Sequence, residues 1–85
     1  MAYELVFTDS SRRQIKKLDT LIQKRVRAKL MEVTALLDVF VVSTQLSGEW
    51  APYRRLRVGA YRVIFYIDND KFVVHHVQHR KKVYK

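Results

Sequence analysis

The stretch from Tyr53 to His79 constrains the fold most, because its apolar residues alternate with polar ones around two turn signals. The pattern predicts strands at 53–58, 61–67 and 72–79, with turns at Gly59-Ala60 and at Asp68-Asn69-Asp70. A two-residue turn with Gly at its first central position is a type II′ turn. It pairs Val58 with Tyr61, Arg57 with Arg62, Leu56 with Val63 and Arg55 with Ile64. Side chains alternate between faces, so Leu56, Val58, Tyr61, Val63 and Phe65 share one face while Arg55, Arg57 and Arg62 share the other. Arg54 points away from those three. Arg57 and Arg62 become direct cross-strand neighbours, and like charges so placed are destabilising. Carried across the second turn, the alternation pairs Ile67 with Phe72 and Ile64 with His75. His75, Val77 and His79 then fall on the arginine face, and Arg80 falls on the opposite one if the strand stays regular, a conflict that a bulge or strand end at 79 or 80 would remove.

The preceding residues supply one strand and two helices. Tyr3 to Phe7 is rich in strand formers. Asp9, Ser10 and Ser11 offer caps for a helix whose apolar contacts are Ile15 and Leu18. Leu18-Asp19-Thr20 reads as a break, and Thr20 with Gln23 as a capping box opening a longer helix. Ile22, Val26, Leu30, Val33 and Leu37 form one stripe along it. Between residues 39 and 52 the pattern is irregular: VFVV is apolar, STQLSGEWAP carries turn signals, and Trp50 beside Pro52 is expected to pack over one end of the core. The expected fold is α+β. An N-terminal strand and a two-helix hairpin precede an antiparallel three-stranded meander, with the helices on one sheet face and residues 1–85 forming one domain.

Composition narrows the function classes. There is no Cys, which excludes disulfides, thiolate catalysis and Cys-ligated metals. A small domain without such staples fits a reducing cytoplasm. No apolar run is long enough to span a bilayer, and no signal-peptide pattern opens the chain. Seventeen Lys and Arg against eight Asp and Glu give a formal net charge of +9. Self-repulsion at that density makes a polyanion the first partner to consider, with nucleic acid ahead of an acidic protein or an anionic membrane surface.

The arginine face suits phosphate. A guanidinium fork gives bidentate hydrogen bonds to phosphate oxygens. Edge-strand protection by charge explains Arg54 or Arg55 alone but not three arginines on one face. Histidine titrates near neutrality, so His79 is a candidate to move a proton while arginines stabilise charge building on phosphorus. No carboxylate or Cys joins the histidines at metal-ligand spacing, and no metal or other cofactor is expected. In the terminal RKKVYK, Lys81 and Lys82 are candidates to hold phosphate and Tyr84 to stack on an unpaired base.

The run YRRLRVGAYRVIFYIDNDKFVVHHVQHRKKVYK resembles the C-terminal half of RelE-family toxins of bacterial and archaeal toxin–antitoxin modules. Arginines before a Gly turn, a Tyr-Arg-Val-Ile strand, a second strand, then His-Arg and a late Tyr carry the likeness. The opening strand, helical pair and short length agree with it. The resemblance implies the RelE/ParE-type fold and a metal-independent, ribosome-dependent endoribonuclease. Such a toxin cuts mRNA in the decoding site of the 70S ribosome by 2′-hydroxyl attack on the adjacent phosphate. It places Arg55, Arg57, Arg62, Arg80 and Tyr84 on catalytic or substrate-holding positions, and His79 where several relatives carry His. Tyr53 stands where some members have a basic residue. Arg62 and Arg80 would bind the scissile phosphate and Arg55 and Arg57 the flanking ones. The resemblance also implies a cognate antitoxin, and the basic surface favours one with an acidic, partly disordered segment in a hetero-oligomer. The alternatives are a ParE-type inhibitor of DNA gyrase, which shares the fold, and a non-enzymatic RNA-binding module.

Overall fold

The computed structural model describes residues 3–35 and 39–79. Strand β1, Glu4–Phe7, runs into helix α1, Asp9–Lys16. The cap lies one residue before the expected group. Thr8 holds extended backbone angles and accepts a hydrogen bond from the Ser11 N–H at 3.1 Å, while the Ser11 hydroxyl donates back to the Thr8 carbonyl at 3.0 Å. Asp9 instead occupies the first turn, where its charge complements the helix dipole.

Helix α2 spans Thr20–Thr34, and the expected Thr20–Gln23 capping box does not form. Asp19 occupies the N-cap position without a side-chain bond. Gln23 turns its amide toward the preceding helix and donates to the Leu18 carbonyl at 2.8 Å. It also reaches the Lys16 carbonyl at 3.4 Å, one that the end of α1 leaves open. The stripe on α2 buries as its spacing predicts. Val26, Leu30 and Val33 are buried and Ile22 packs at the margin, while Leu37 lies outside the described residues.

The sheet has five strands in the order β1-β5-β4-β3-β2, with β2 at Thr44–Gln45, β3 at Arg54–Val58, β4 at Tyr61–Asp68 and β5 at Lys71–His79. The last three form the expected meander. β1 lies parallel to β5, from Glu4 beside Lys71 to Phe7 beside Val74. The short β2, which the irregular 39–52 stretch did not announce, pairs with Arg54 and Arg55. Ile15 and the α2 stripe pack with Leu56, Val63, Phe65, Phe72, Val74 and Val77, so the helices cover one sheet face. Phe65 and Phe72 stack at 4.0 Å in that core. No helix among the described residues is long and apolar enough to cross a membrane.

A 3₁₀ turn at Gly48–Trp50 and a cis Ala51–Pro52 peptide lead into β3. Trp50 does not cover the core as its place beside Pro52 suggested. It is 41 % exposed, and its ring meets Tyr53 and His76, each with centroids 6.2 Å apart.

Candidate functional site

The hairpin of β3 and β4 has the register that its sequence dictates. Val58 pairs with Tyr61, Arg57 with Arg62, Leu56 with Val63 and Arg55 with Ile64. Gly59 has φ +60° and Ala60 does not share the positive φ, which is the type II′ arrangement. Leu56 and Val63 are buried beneath the helices, so the alternation turns Arg55, Arg57 and Arg62 to the other face. Arg57 is exposed, and Arg55 and Arg62 are half-buried.

Arg54 goes the other way and works structurally. Its guanidinium donates to the Ser43 hydroxyl at 2.8 Å, the Ser43 carbonyl at 3.1 Å and the Phe40 carbonyl at 3.2 Å. It also lies 4.7 Å from the centroid of the Phe40 ring. One cation thus ties the loop before β2 to the start of β3.

The β4–β5 ladder corrects the expected histidine placement. Ile67 pairs with Phe72 as expected, but the register shifts between Ile64 and Phe65, so that Ile64 pairs with His76 and Phe65 with Val74. His75 is the extra residue of a β-bulge. Beyond it the parity reverses. Val77 pairs with Val63 and enters the core, Gln78 pairs with Arg62, and His79 pairs with Tyr61. The rings of His79 and Tyr61 meet edge to face at 5.3 Å. His79 therefore sits on the helix-facing side of the alternation, and the parity argument for grouping it with Arg62 fails. The expectation missed this because no Gly or Pro marks the bulge. Arg80, Lys81, Lys82 and Tyr84 lie outside the described residues.

The bulge instead brings both His75 and His76 into a ring cluster. His75 stacks on Tyr53 at 4.9 Å, Tyr53 meets Tyr66 edge to face at 5.5 Å, and His75 meets His76 at 4.3 Å. Tyr53 precedes Arg55 by two residues, and Tyr66 follows Arg62 by four, so the rings share the arginine face. Two buried residues, Ile64 and Val73, belong to that face by the same alternation. The cluster was hidden in the sequence because its members come from three separate stretches.

Helix α1 fixes the protonation state of His76. Beyond β1, the outer edge of β5 is met by Gln14, whose side-chain carbonyl accepts the Val77 N–H at 2.8 Å. That leaves the Gln14 NH₂ facing His76 Nδ1 at 3.0 Å, so Nδ1 must accept and the ring is neutral with its proton on Nε2. Desolvation by burial and then the neighbouring His75 hold the His76 pKa below its usual value. A donor aimed at Nδ1 acts in the same direction.

The face therefore combines a cross-strand arginine pair, a third arginine and a platform of aromatic and imidazole rings. Chemically this suits a polyanion that also carries flat groups. Comparison with known proteins gives a consistent family. The family model described as ParE toxin of the type II toxin–antitoxin system parDE matches residues 5–84. Among solved structures, the RelBE2 toxin–antitoxin complex from Mycobacterium tuberculosis contains a chain similar at TM-score 0.86 and 28% identity, with 94% of this chain and 93% of that one covered. The isolated Escherichia coli RelE toxin matches at TM-score 0.74 and 21% identity, over 92% and 84% of the two chains. The RelB–RelE antitoxin–toxin complex from Methanococcus jannaschii matches at 0.70 and 22%, over 93% and 94%. No curated protein sequence matches significantly. The last two structural likenesses speak to the fold alone, whereas the family model spans almost the whole sequence: the chain belongs to the ParE toxin family of type II toxin–antitoxin systems, within the RelE/ParE superfamily.

Proposed function

We propose that this toxin is a ribosome-dependent endoribonuclease that cuts mRNA in the ribosomal A site and so inhibits translation. The observation that carries the reading is the registered pairing of Arg57 with Arg62, with Arg55 on the same face. Two cations held opposite each other at a cost in stability are well placed to receive a phosphate.

In the proposed reaction the substrate's 2′-oxygen bonds to phosphorus as the bond to the 5′-oxygen breaks. The products are a 2′,3′-cyclic phosphate and a 5′-hydroxyl. The 2′-hydroxyl loses its proton and the leaving 5′-oxygen gains one. Arg62 and Arg80 take the scissile phosphate and stabilise the extra charge of the five-coordinate transition state. Arg55 and Arg57 hold flanking phosphates, with Lys81 and Lys82 assisting and Tyr84 stacking on a base. The role of Arg80 is the one that the RelE resemblance implies. His79, across from Tyr61, loses its geometric support as the proton carrier and is tested below. The reading calls for no metal or cofactor.

The toxin would act in the cytoplasm and be held inactive by a cognate antitoxin. The relatives solved as toxin–antitoxin complexes support such a partner. The net charge of +9 favours an antitoxin segment that is acidic and folds on binding.

A second reading, inhibition of DNA gyrase, is favoured by the ParE description of the matching family model. Mapping of mRNA 5′ ends in a translating extract, beside a gyrase cleavage assay, separates the two. Codon-phased mRNA cuts support the ribonuclease. Gyrase-dependent DNA breaks with intact mRNA replace it with the second reading.

A further inference from the structure

Next to the arginines, the same sheet face carries five rings that the phosphate chemistry does not use: Trp50, Tyr53, Tyr66, His75 and His76. None of the five is fully buried, and Trp50 is 41 % exposed. They lie on the side of the sheet away from the helices. Part of their role is ordinary packing, since Ile64 and Val73 are covered on this face. Packing alone does not account for the bulge, which inserts His75 and brings consecutive histidines into one cluster. Bulges next to sites commonly re-aim a side chain.

Position and chemistry then point to one class of ligand. Tyr53 immediately precedes β3, two residues ahead of Arg55, an extended-chain rise of about 7 Å. That is within the reach of a single nucleotide from its phosphate to its base. Gln14 fixes His76 with Nδ1 accepting and Nε2 carrying the proton. The ring is thus uncharged and adds no cation beside His75.

We propose that Trp50, Tyr53 and His75 form a stacking subsite for an unpaired nucleobase of single-stranded RNA, adjoining the phosphate held by Arg55. The inference rests on the reading of the arginine face as an RNA site, and it adds a base contact beside Tyr53 and His75. Stacking of this kind tolerates any base, so the subsite anchors the strand without setting a sequence preference.

Trp50 is the only tryptophan in the chain, so its fluorescence reports on the platform directly. The wild-type protein is titrated with a short 2′-O-methyl RNA, which cannot be cleaved, and with an abasic oligomer of the same length and charge. The expected result is saturable quenching by the RNA, with the abasic oligomer binding about tenfold or more weakly and not quenching. His75→Ala and Tyr53→Ala should weaken RNA binding toward the abasic value while leaving abasic binding unchanged. Equal binding and equal fluorescence response for the two oligomers overturns the subsite. The ribonuclease reading fails separately. If translating extracts show no mRNA cuts but bases still quench Trp50, the subsite stands as part of a binding site. If mRNA is cut and the two oligomers behave alike, only the subsite falls.

Discussion

Arg57 and Arg62 face one another across the β3–β4 ladder, two cations kept in register by a hairpin whose turn is closed by Gly59 at φ +60°. Like charges placed directly opposite each other tend to destabilise a sheet, and two guanidinium groups on one face suit an anion. Removing one charge should therefore improve the fold while damaging the function. Arg57→Gln is expected to raise unfolding stability by up to about 1 kcal/mol at low salt and to weaken RNA binding. Urea melts at low and high ionic strength check this. The gain should shrink as salt screens the pair, and a variant less stable than wild type at low salt would contradict it.

The turn itself depends on backbone freedom. A Cβ built on Gly59 meets nothing within 4 Å, so any cost of Gly59→Ala is conformational rather than steric. We expect a loss of about 1–2 kcal/mol from forcing an L-residue to positive φ. Chemical denaturation measures it, and a neutral substitution would show that the turn can change type.

Arg54 and Arg55 are adjacent but should behave as different kinds of residue. Arg54→Ala removes three hydrogen bonds to Phe40 and Ser43 and a ring contact. A destabilisation of about 1–3 kcal/mol and faster amide exchange in residues 39–46 are expected, with RNA affinity lowered little. Arg55→Ala should do the reverse, losing affinity with little change in the melt. The paired measurements fail the account if the two variants lose affinity equally.

Histidine 76 gives the stability a pH dependence with a definite sign. Its folded pKa lies below the unfolded value of 6.5, so between the two the unfolded chain binds more protons. The contribution is complete above pH 6.5 and is lost as pH falls through the folded pKa. Urea midpoints at pH 8 and pH 5 should differ in that direction, and His76→Gln should flatten the difference. A midpoint that rises toward acid for the wild type, with the variant flat, would reverse the assignment.

The hairpin was legible because two forces agree on it: a Gly turn with fixed geometry and alternation that puts Leu56 and Val63 under the helices. The α2 stripe was legible for the same reason, since Val26, Leu30 and Val33 fit one period. What escaped the sequence was non-local. The bulge at His75 has no compositional mark, because a one-residue insertion leaves the run VVHHVQH still rich in strand formers. It nevertheless reverses the face of the described residues beyond it, moving Val77 into the core and His79 beside Tyr61. The α1 cap was misplaced because Thr8 is as competent an N-cap as the expected Asp9, Ser10 and Ser11, and only the path out of β1 chooses among them. The ring cluster needed the fold, since Trp50 reaches it through the turn before β3.

His79 provides a sharp test of the corrected register. If the site is built on the face of Arg62 and Gln78, His79→Ala should reduce mRNA cleavage by less than about tenfold, well short of the contribution of a general base. A loss of about 100-fold or more, with the fold intact by circular dichroism, would return the proton-transfer role to His79.

The central claim, that Arg62 on the arginine face receives the scissile phosphate of mRNA, is tested most directly by mapping mRNA 5′ ends in a translating extract with wild-type protein and with Arg62→Ala. The account predicts codon-phased cuts with the wild type and a loss of roughly 100-fold or more in the variant, whose melt should show it folded. Undiminished cutting by the Arg62→Ala protein, or no cutting by the wild type, would contradict it.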